Sequence, residues 1–588
     1  MTQNFRYLSI FAIFLSVFTF SACKNADKTA TTTQTTAKDT SGVADRKWWK
    51  EAVVYQLYPR SFKDSNGDGV GDLQGIISKL DYLKSLGVDV IWLNPIYGSP
   101  NDDNGYDISD YRGIMKEFGT MDDFNTLLKG MHERKIKLVM DLVVNHCSDE
   151  HEWFKQSRSS RTSPYRDYFH WWPAEKGKPN YRYSLFDVNH DAWKFDSLTN
   201  AYYLHYFSRK QPDLNWENPK LRAEIQDIMK FWMDKGIDGF RMDAFTFCAK
   251  DTTFPKFDKG FSGTNFMPYY SMQPHLHDYL KELNANVLSK YDCMSVAEGS
   301  GNTLQDAHDL VDADRKELSM AYPFEWIDIP QSKGYDLVKL KTTISKWDSA
   351  FSEKGWMSFF LANHDQARMV SRFGNDTPEF RDFSAKMLNT FILTMRGTPY
   401  TYLGDELGMV NIRMDKIEDY NDMPSLNEYQ RLKNTKGDLK KFVKELQFSC
   451  RDNGRTPFQW DATENAGFTT GKPWLKIHPN YVTLNAAAQE SDANSNLNFF
   501  RKLIQLRKKE LTLVYGKYTL LDAKNPDTYC FTRELKGKKF LIMLNFKGKA
   551  AKTNLGIDVS KAKVVLGNYP TASSDGTLKP CESVVFEL

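Results

Sequence analysis

Acidic and imidazole side chains follow apolar runs at four places in this chain. The segments are Asp141–His146, Gly239–Ala244, Val296–Gly299 and Asn363–Asp365. Carboxylates that end several buried strands are typical of an active site at the carboxyl end of a parallel barrel. There, one ionised carboxylate can act as a nucleophile while a protonated one donates its proton.

The apolar runs before these segments predict the strands that position them. The predicted strands are Lys137–Val144, Ile237–Met242, Cys293–Ala297 and Met357–Ala362. For any single acidic residue, the alternative is a helix N-cap or a solvated turn. Four such segments in order favour the site, because burial alone would not place acids at the same end each time. On the second strand, the side chains of Arg241 and Asp243 point to the same face. Burying two charged groups costs free energy unless they form an ion pair or serve a function.

The rest of the chain predicts a (β/α)8 TIM barrel with two additions. Further barrel strands are predicted at Val53–Tyr58, Val88–Leu93 and Thr398–Leu403, and helices at Asp81–Leu86 and Glu224–Asp234. We expect the barrel to occupy residues 46–146 and 210–512, with a small aromatic-rich inserted domain at 147–209. Short strands separated by turns predict a C-terminal β-sandwich over 513–588. These strands are Lys517–Leu521, Asp527–Glu534, Lys538–Asn545, Lys563–Leu566 and Glu582–Leu588.

The composition is that of a globular protein without a polyanionic partner. The 588 residues are 41% hydrophobic and 26% charged, and the formal net charge is +3. A charge this small for the size implies no nucleic-acid partner. The seven cysteines show no CxxC spacing, so thiolate metal binding is not expected, and the sequence leaves disulfides and oligomeric state open.

The N-terminus predicts export rather than folding. An apolar run, Leu8–Phe20, follows Arg6 and ends in small residues before Cys23. We predict a signal peptide over 1–22, lipid modification of Cys23 and a flexible tether over 23–45. We therefore expect a lipoprotein of the periplasm or the outer membrane, held to the membrane through the lipid only. An ordinary cleaved signal peptide is the alternative.

Oxygen-bearing side chains alternate in one loop near the predicted first strand. Asp64, Asn66 and Asp68 are each separated by one residue, Asp72 follows, and glycines lie between them. This resembles the front half of an EF-hand loop and suits Ca²⁺ better than Mg²⁺. The alternative is an Asp/Asn/Gly turn that holds no ion.

These segments together resemble glycoside hydrolase family 13, the α-amylase family, from about Trp48 to the C-terminus. Further stretches are similar to its oligo-1,6-glucosidase and α-glucosidase branch: Tyr55–Phe62, Asp64–Leu73, Ser99–Asp107, Gln211–Trp216 and Arg451–Pro457. The resemblance implies a retaining, exo-acting α-glucosidase that hydrolyses short α-1,4- or α-1,6-linked oligosaccharides. It also implies a structural Ca²⁺ in the loop described above, with Val70 among its ligands.

The resemblance further implies residue roles. Asp243 would be the nucleophile, Glu298 the acid/base and Asp365 the third carboxylate, which grips sugar hydroxyls. Arg241 would keep Asp243 ionised. The sugar-binding residues would be Asp103, Tyr106, His146, Arg241, His364 and Arg455. Of these, Asp103 and Arg455 would pair to close the far side of the first sugar site, and Tyr106 would stack on the terminal sugar.

Three alternatives stay open on this evidence. The same residues serve transglycosylation, so a sucrose isomerase or trehalose synthase type of activity is possible. Some relatives are non-catalytic partners of transporters, although they lack the carboxylates kept here. A glycan-binding surface lipoprotein is the third alternative. For linkage, α-1,6-specific relatives usually carry Val after the nucleophile, and Ala244 predicts that α-1,4 substrates are accepted.

Overall fold

A computed structural model describes residues 43–330 and 334–588. Residues 46–588 form one compact unit. Cys23, the predicted signal peptide and the tether up to residue 42 lie outside the described residues. Within the described ranges, no helix is both long and apolar enough to cross a membrane.

Eight parallel strands form the predicted barrel. In chain order they are β1 Val54–Leu57, β2 Val90–Leu93, β3 Lys137–Val143, β4 Gly239–Asp243, β5 Met294–Glu298, β6 Met320–Tyr322, β7 Ser358–Phe359 and β8 Thr398–Tyr402. Each strand pairs with its neighbour in sequence, β8 pairs with β1, and a parallel bridge from Ala321 to Met357 joins β6 to β7. The sequence analysis missed β6, which has only three residues, and overestimated the length of β7.

Helices cover the outside of the barrel. The long segment after β3, for example, leads to the helix Pro219–Lys235, where the Asn218 side chain accepts the Lys220 N–H and Gly236 ends the helix at φ 103°. Pro at the first position and Gly after the last are the preferred signals for these boundaries. The other main helices are Leu73–Ser78, Leu80–Leu86, Met121–Glu133, Leu276–Asn286, Leu304–Val311, Leu337–Ala350, Arg381–Thr394, Met423–Asn434, Leu439–Ser449 and Asn496–Lys509.

The segment between β3 and its helix carries a small antiparallel sheet. Its strands are Trp171–Pro173, Trp193–Asp196 and Ala201–Leu204, with the last in the middle. Trp193 and Leu204 pack in a local hydrophobic cluster with Ala244 and Phe247 of the loop after β4. This inserted part is thereby joined to the loop that carries the residue after Asp243.

The C-terminal part is rich in strands, as predicted. Its five-stranded antiparallel sheet comprises Lys517–Leu521, Thr528–Leu535, Lys538–Asn545, Ser583–Glu587 and Lys563–Gly567 in spatial order, and Ala551–Lys552 pairs with Thr577–Leu578. Lys341, on a barrel helix, donates to the carbonyls of Asp522, Asn525 and Thr528 in this part. The six cysteines of the described residues are free thiols.

Candidate active site

Arg241 is the centre of the site. It lies on β4, and the strand register places it beside Asp141 of β3 and Val296 of β5. Its side chain is fully buried and donates from Nη1 to Asp141 Oδ1 at 2.8 Å. Nη1 also donates to Asp243 and Nη2 to Glu298. One guanidinium therefore links three carboxylates at the carboxyl ends of three adjacent strands.

The two predicted reacting carboxylates, Asp243 and Glu298, both accept from Arg241, and Glu298 has a second donor. Asp243 ends β4 and Glu298 ends β5, and their side chains are 9% and 14% exposed. The backbone N–H of Ala244 donates to Glu298 Oε2 at 2.7 Å. Each carboxylate is thus fixed by the protein while its remaining surface faces solvent.

Burial dominates the protonation of both groups. It raises the pKa of Asp243 to about 7, although Arg241 acts in the opposite direction. It raises the pKa of Glu298 to about 8, again against Arg241. The prediction that Arg241 would keep the pKa of Asp243 low underestimated this burial. The order of the two values still favours a protonated Glu298 beside an Asp243 that ionises first.

Asp365 has a different electrostatic environment. Its side chain is 33% exposed, and Oδ1 accepts hydrogen bonds from Arg451 and Arg455, each at 3.0 Å. Burial acts to raise its pKa, but His364, Arg451 and Arg455 together hold it below the usual range. Asp365 is therefore an ionised, accessible carboxylate, as a ligand for sugar hydroxyls requires.

The prediction that Asp103 pairs with Arg455 was wrong, because the cation bonded to Asp103 is Arg451. Asp103 pairs with Arg451, with Nη2 3.2 Å from Oδ1. Arg455 lies one helical turn further on and donates to Asp365 and to the His364 carbonyl. Arg451 also donates from Nε to Asp422 at 2.5 Å. Position within the Arg451–Pro457 segment could not tell the two arginines apart, because both lie on one short helical turn.

The two predicted histidines and Tyr106 pack beside these carboxylates. His364 stacks on Tyr106 with ring centroids 5.1 Å apart, and its Nε2 is 3.3 Å from Asp365 Oδ2. The Tyr106 hydroxyl donates to Asp141 at 3.2 Å. His146 Nε2 lies 3.1 Å from the Tyr106 carbonyl. Burial lowers the pKa of both histidines, so they are neutral hydrogen-bonding groups.

Three residues that the sequence analysis gave no role belong to this network. They are Asp141, Arg451 and Asp422. Asp141 and Arg451 lie within motifs already noted, so the motifs pointed to them without assigning a function. Asp422 follows no such motif, and only the fold brings it to Arg451.

A cavity of about 840 Å³ opens beside Glu298 and Asp365. Ala244, Glu298 and Asp365 line one end, and Arg451 and Asp422 line a neighbouring wall. Other walls come from the inserted segment, from the loop after β4 and from residues 299–304 after β5. The cavity therefore extends from Glu298 and Asp365 to the loops after β4 and β5.

The loop predicted to bind calcium folds as successive Asx turns. Asp64 accepts the N–H groups of Asn66, Gly67 and Gly69, and Asn66 and Asp68 accept the N–H groups two residues on. Burial acts to raise the pKa of Asp64, but these bonds and one from Thr469 hold it below its usual range. Asp72 caps the helix Leu73–Ser78.

This loop offers oxygen donors only, a set that suits a hard cation. Among residues 43–330 and 334–588, no group of three or more His, Cys, Asp or Glu side chains is placed to hold a metal ion. A cation here would therefore depend on the Asn66 amide and the Val70 carbonyl as well as on Asp64, Asp68 and Asp72.

Comparisons with known proteins match this architecture. The profile of the alpha amylase catalytic domain matches residues 56–516. The oligo-1,6-glucosidases of Parageobacillus thermoglucosidasius and Bacillus cereus are 49% and 47% identical to this chain, over 92% of it and 99% and 100% of their own lengths. An isomaltulose synthase mutant from Erwinia rhapontici NX5, solved with its natural substrate sucrose, has a TM-score of 0.89 at 44% identity, covering 93% of this chain and all of its own.

Proposed function

The chain belongs to the α-amylase family of glycoside hydrolases, and from this premise we propose that it is a retaining, exo-acting α-glucosidase. Its substrates would be short α-1,4- and α-1,6-linked oligosaccharides, cut from the non-reducing end. The observation that carries the proposal is the Arg241 guanidinium, which binds both Asp243 and Glu298. A non-catalytic glycan-binding protein would have no need of this buried acid pair.

The chemistry divides between the two carboxylates. Glu298 gives its proton to the leaving oxygen while Asp243 attacks the anomeric carbon and forms a glucosyl ester. Water then cleaves the ester, with Glu298 acting as the base. Arg241 orients both groups, and Asp365, with its raised acidity, binds hydroxyls of the reacting sugar.

The exo preference is supported by the cluster around Arg451. Asp103, Asp365 and Asp422 all accept from this one side chain, which is 15% exposed. Arg455 adds a second cation to Asp365. Such a network would close the far side of the first sugar site, leaving room for a chain end but not for a continuous chain.

Product analysis tests the proposal directly. We expect glucose from maltose and from isomaltose, with the α-anomer as the first product seen by NMR. Initial β-glucose would overturn the retaining assignment. Oligosaccharides cut in the middle of the chain would overturn the exo assignment.

An isomerising activity is the second candidate, because the structural relatives include a sucrose-bound isomaltulose synthase. In this case the glucosyl ester would be intercepted by the departed fructose instead of water. Incubation with sucrose distinguishes the two. Free glucose and fructose support the hydrolase, whereas a rearranged disaccharide as the main product supports the isomerase.

We further propose a structural Ca²⁺ in the loop Asp64–Asp72. Asp64, Asn66, Asp68 and Asp72 would contribute side-chain oxygens and Val70 its carbonyl. The ion would tie the turn after β1 and would take no part in the chemistry. The Asx turns and the lowered pKa of Asp64 support an ionised, preformed loop.

We also propose that the protein is exported and anchored through a lipid on Cys23. Support comes from the sequence alone: an apolar run behind Arg6 that ends in small residues before the cysteine. Expression in a bacterial host followed by detergent phase partition tests it. Cys23→Ser should move the protein to the aqueous phase, and an unchanged distribution would count against the anchor.

A further inference from the structure

Asp107 is a fully buried carboxylate at the end of the loop 99–107, which follows β2 and carries Asp103. Its Oδ1 accepts the Asp103 N–H and the Ser99 hydroxyl, each at 3.0 Å. Its Oδ2 accepts the Asp102 N–H at 2.9 Å. Both oxygens of this one side chain therefore hold the loop from the inside, at the backbone of two successive residues.

The same loop contains three residues in the left-handed region of backbone conformation. Asn101 and Asn104 adopt φ 69° and 49°, and Gly105 follows at φ 97°. Residues other than glycine cost free energy at positive φ, and the surrounding structure must offset that cost. The N–H groups of Asp102 and Asp103 lie between these positions, so their bonds to Asp107 help to hold the strained conformation.

The orientation of the Asp103 side chain depends on this backbone. The Asp103 carboxylate is buried and accepts from Arg451 Nη2 and from Gln211 Nε2, each at 3.2 Å. Bonds of this length are already at the long end of the usual range, so a small shift of the backbone would break them. Asp107 therefore fixes the residue whose side chain pairs with Arg451.

The three donors to Asp107 are neutral groups, one hydroxyl and two backbone N–H groups. Burial accordingly raises the pKa of the Asp107 carboxyl to about 7. A buried carboxylate without a cation costs free energy. An amide of the same shape has only one acceptor oxygen, so it could not bond the two backbone N–H groups through separate oxygens. The costly side chain is the one that can hold both.

We propose that Asp107 is a positioning residue that orients Asp103 towards the first sugar site through the backbone of residues 102 and 103. The inference rests on the proposed α-glucosidase function and deepens it by one residue that acts on the sugar only through Asp103. The pairing of Asp103 with Arg451, which closes the far side of the sugar site in that proposal, therefore depends on Asp107.

Asp107→Asn tests the inference on maltose. We expect kcat/KM to fall by up to about 100-fold, because a displaced binding group no longer holds the substrate in its reactive position. The loss should appear mainly as a higher KM, since Asp103 would bind the sugar in the ground state as well as in the transition state. Asp110→Asn is the control, because Asp110 accepts the Arg112 N–H at 2.9 Å three residues further on. Equal rises of KM in both variants would overturn the inference.

A double-mutant cycle shows whether Asp107 acts through Asp103. In an Asp103→Ala background the oriented carboxylate is absent, so Asp107→Asn should raise KM no further. Additive losses would overturn the inference, since Asp107 would then act on another group. If Asp107→Asn does not fold, Ser99→Ala takes its place, because it removes one donor to the Asp107 carboxylate. It should raise KM less, with the same dependence on Asp103, and an unchanged KM would overturn the inference.

The experiment separates the inference from the proposed function. If maltose is cleaved and the losses are additive, only the inference fails. If the native protein cleaves neither maltose nor isomaltose, the proposed function fails, and the same cycle is measured as the Kd for glucose by calorimetry. A loss of affinity that depends on Asp103 then supports the inference. Additive losses, or no binding of glucose, overturn it.

Discussion

At the scale of single residues, the proposed mechanism assigns different steps on one sugar to Asp243 and Glu298. Replacing either by its amide should lower kcat by several orders of magnitude, because neither carboxylate can supply the other's chemistry. Steady-state assays on maltose measure the loss. A mass spectrum of the quenched Asp243→Asn enzyme should also show no glucosyl ester. A loss below ten-fold in either variant would contradict the assignment.

The pKa values of this pair predict a narrow pH profile. Activity needs ionised Asp243, so kcat/KM should fall as the pH drops through about 7. It needs protonated Glu298, so kcat/KM should fall as the pH rises through about 8. The two limbs belong to the coupled pair. With p-nitrophenyl α-glucoside, which needs no proton donor, Glu298→Gln should lose the alkaline limb. An acid limb near pH 4 would mean that burial does not control the pKa of Asp243.

Ala244 is the residue expected to set linkage preference. It lines the cavity, directly follows the proposed nucleophile Asp243 and adopts φ 44°. Ala244→Val should shift the ratio of kcat/KM values towards isomaltose, by up to roughly 10- to 200-fold. A branched side chain is strained at this φ, so the melting temperature should also fall. Ala244→Gly is the control, and it should neither shift this ratio towards isomaltose nor lower the melting temperature. Native enzyme that ignores maltose would contradict this role.

At the scale of elements, the loop Asp64–Asp72 carries the calcium prediction. A metal that binds only the folded state stabilises it, so excess EDTA should lower the melting temperature. Activity at low temperature should change less, because the proposed ion takes no part in the chemistry. Asp68→Ala should abolish the response to EDTA. An unchanged melting temperature in EDTA, with no metal in the preparation, would exclude the site.

The sequence predicted the strands that carry chemistry better than the contacts those strands make. Runs such as Lys137–Val143 are mostly apolar and carry an acid at or near their carboxyl end, so β3, β4 and β5 were found with small shifts in their ends. Met320–Tyr322 has only three residues and no such signal. The choice between Arg451 and Arg455 for Asp103 depends on the rotation of one helical turn, which spacing does not reveal. Burial of Asp243 likewise emerges only from the assembled barrel.

At the scale of the whole molecule, buried cations join the C-terminal strands to the barrel. Lys341 is fully buried and donates to three carbonyls of the C-terminal part. Lys341→Met should lower the melting temperature by several degrees, because these carbonyls lose a charged donor. Lys339→Met changes an exposed residue of the same helix and should have little effect. Calorimetry on both variants checks this, and equal shifts would contradict it.

In the proposed mechanism, the guanidinium shared by Asp243 and Glu298 also sets the order in which Glu298 loses and regains its proton. When Asp243 becomes an ester, its negative charge disappears, and that charge is one of the influences that keep the pKa of Glu298 high. Arg241 then has one fewer anion to neutralise, so its positive charge stabilises ionised Glu298 more strongly. The acidity of Glu298 therefore rises once it has given up its proton. Glu298 is therefore ionised, and able to act as a base, when water must be activated. Its pKa rises again when the ester is cleaved and Asp243 regains its negative charge.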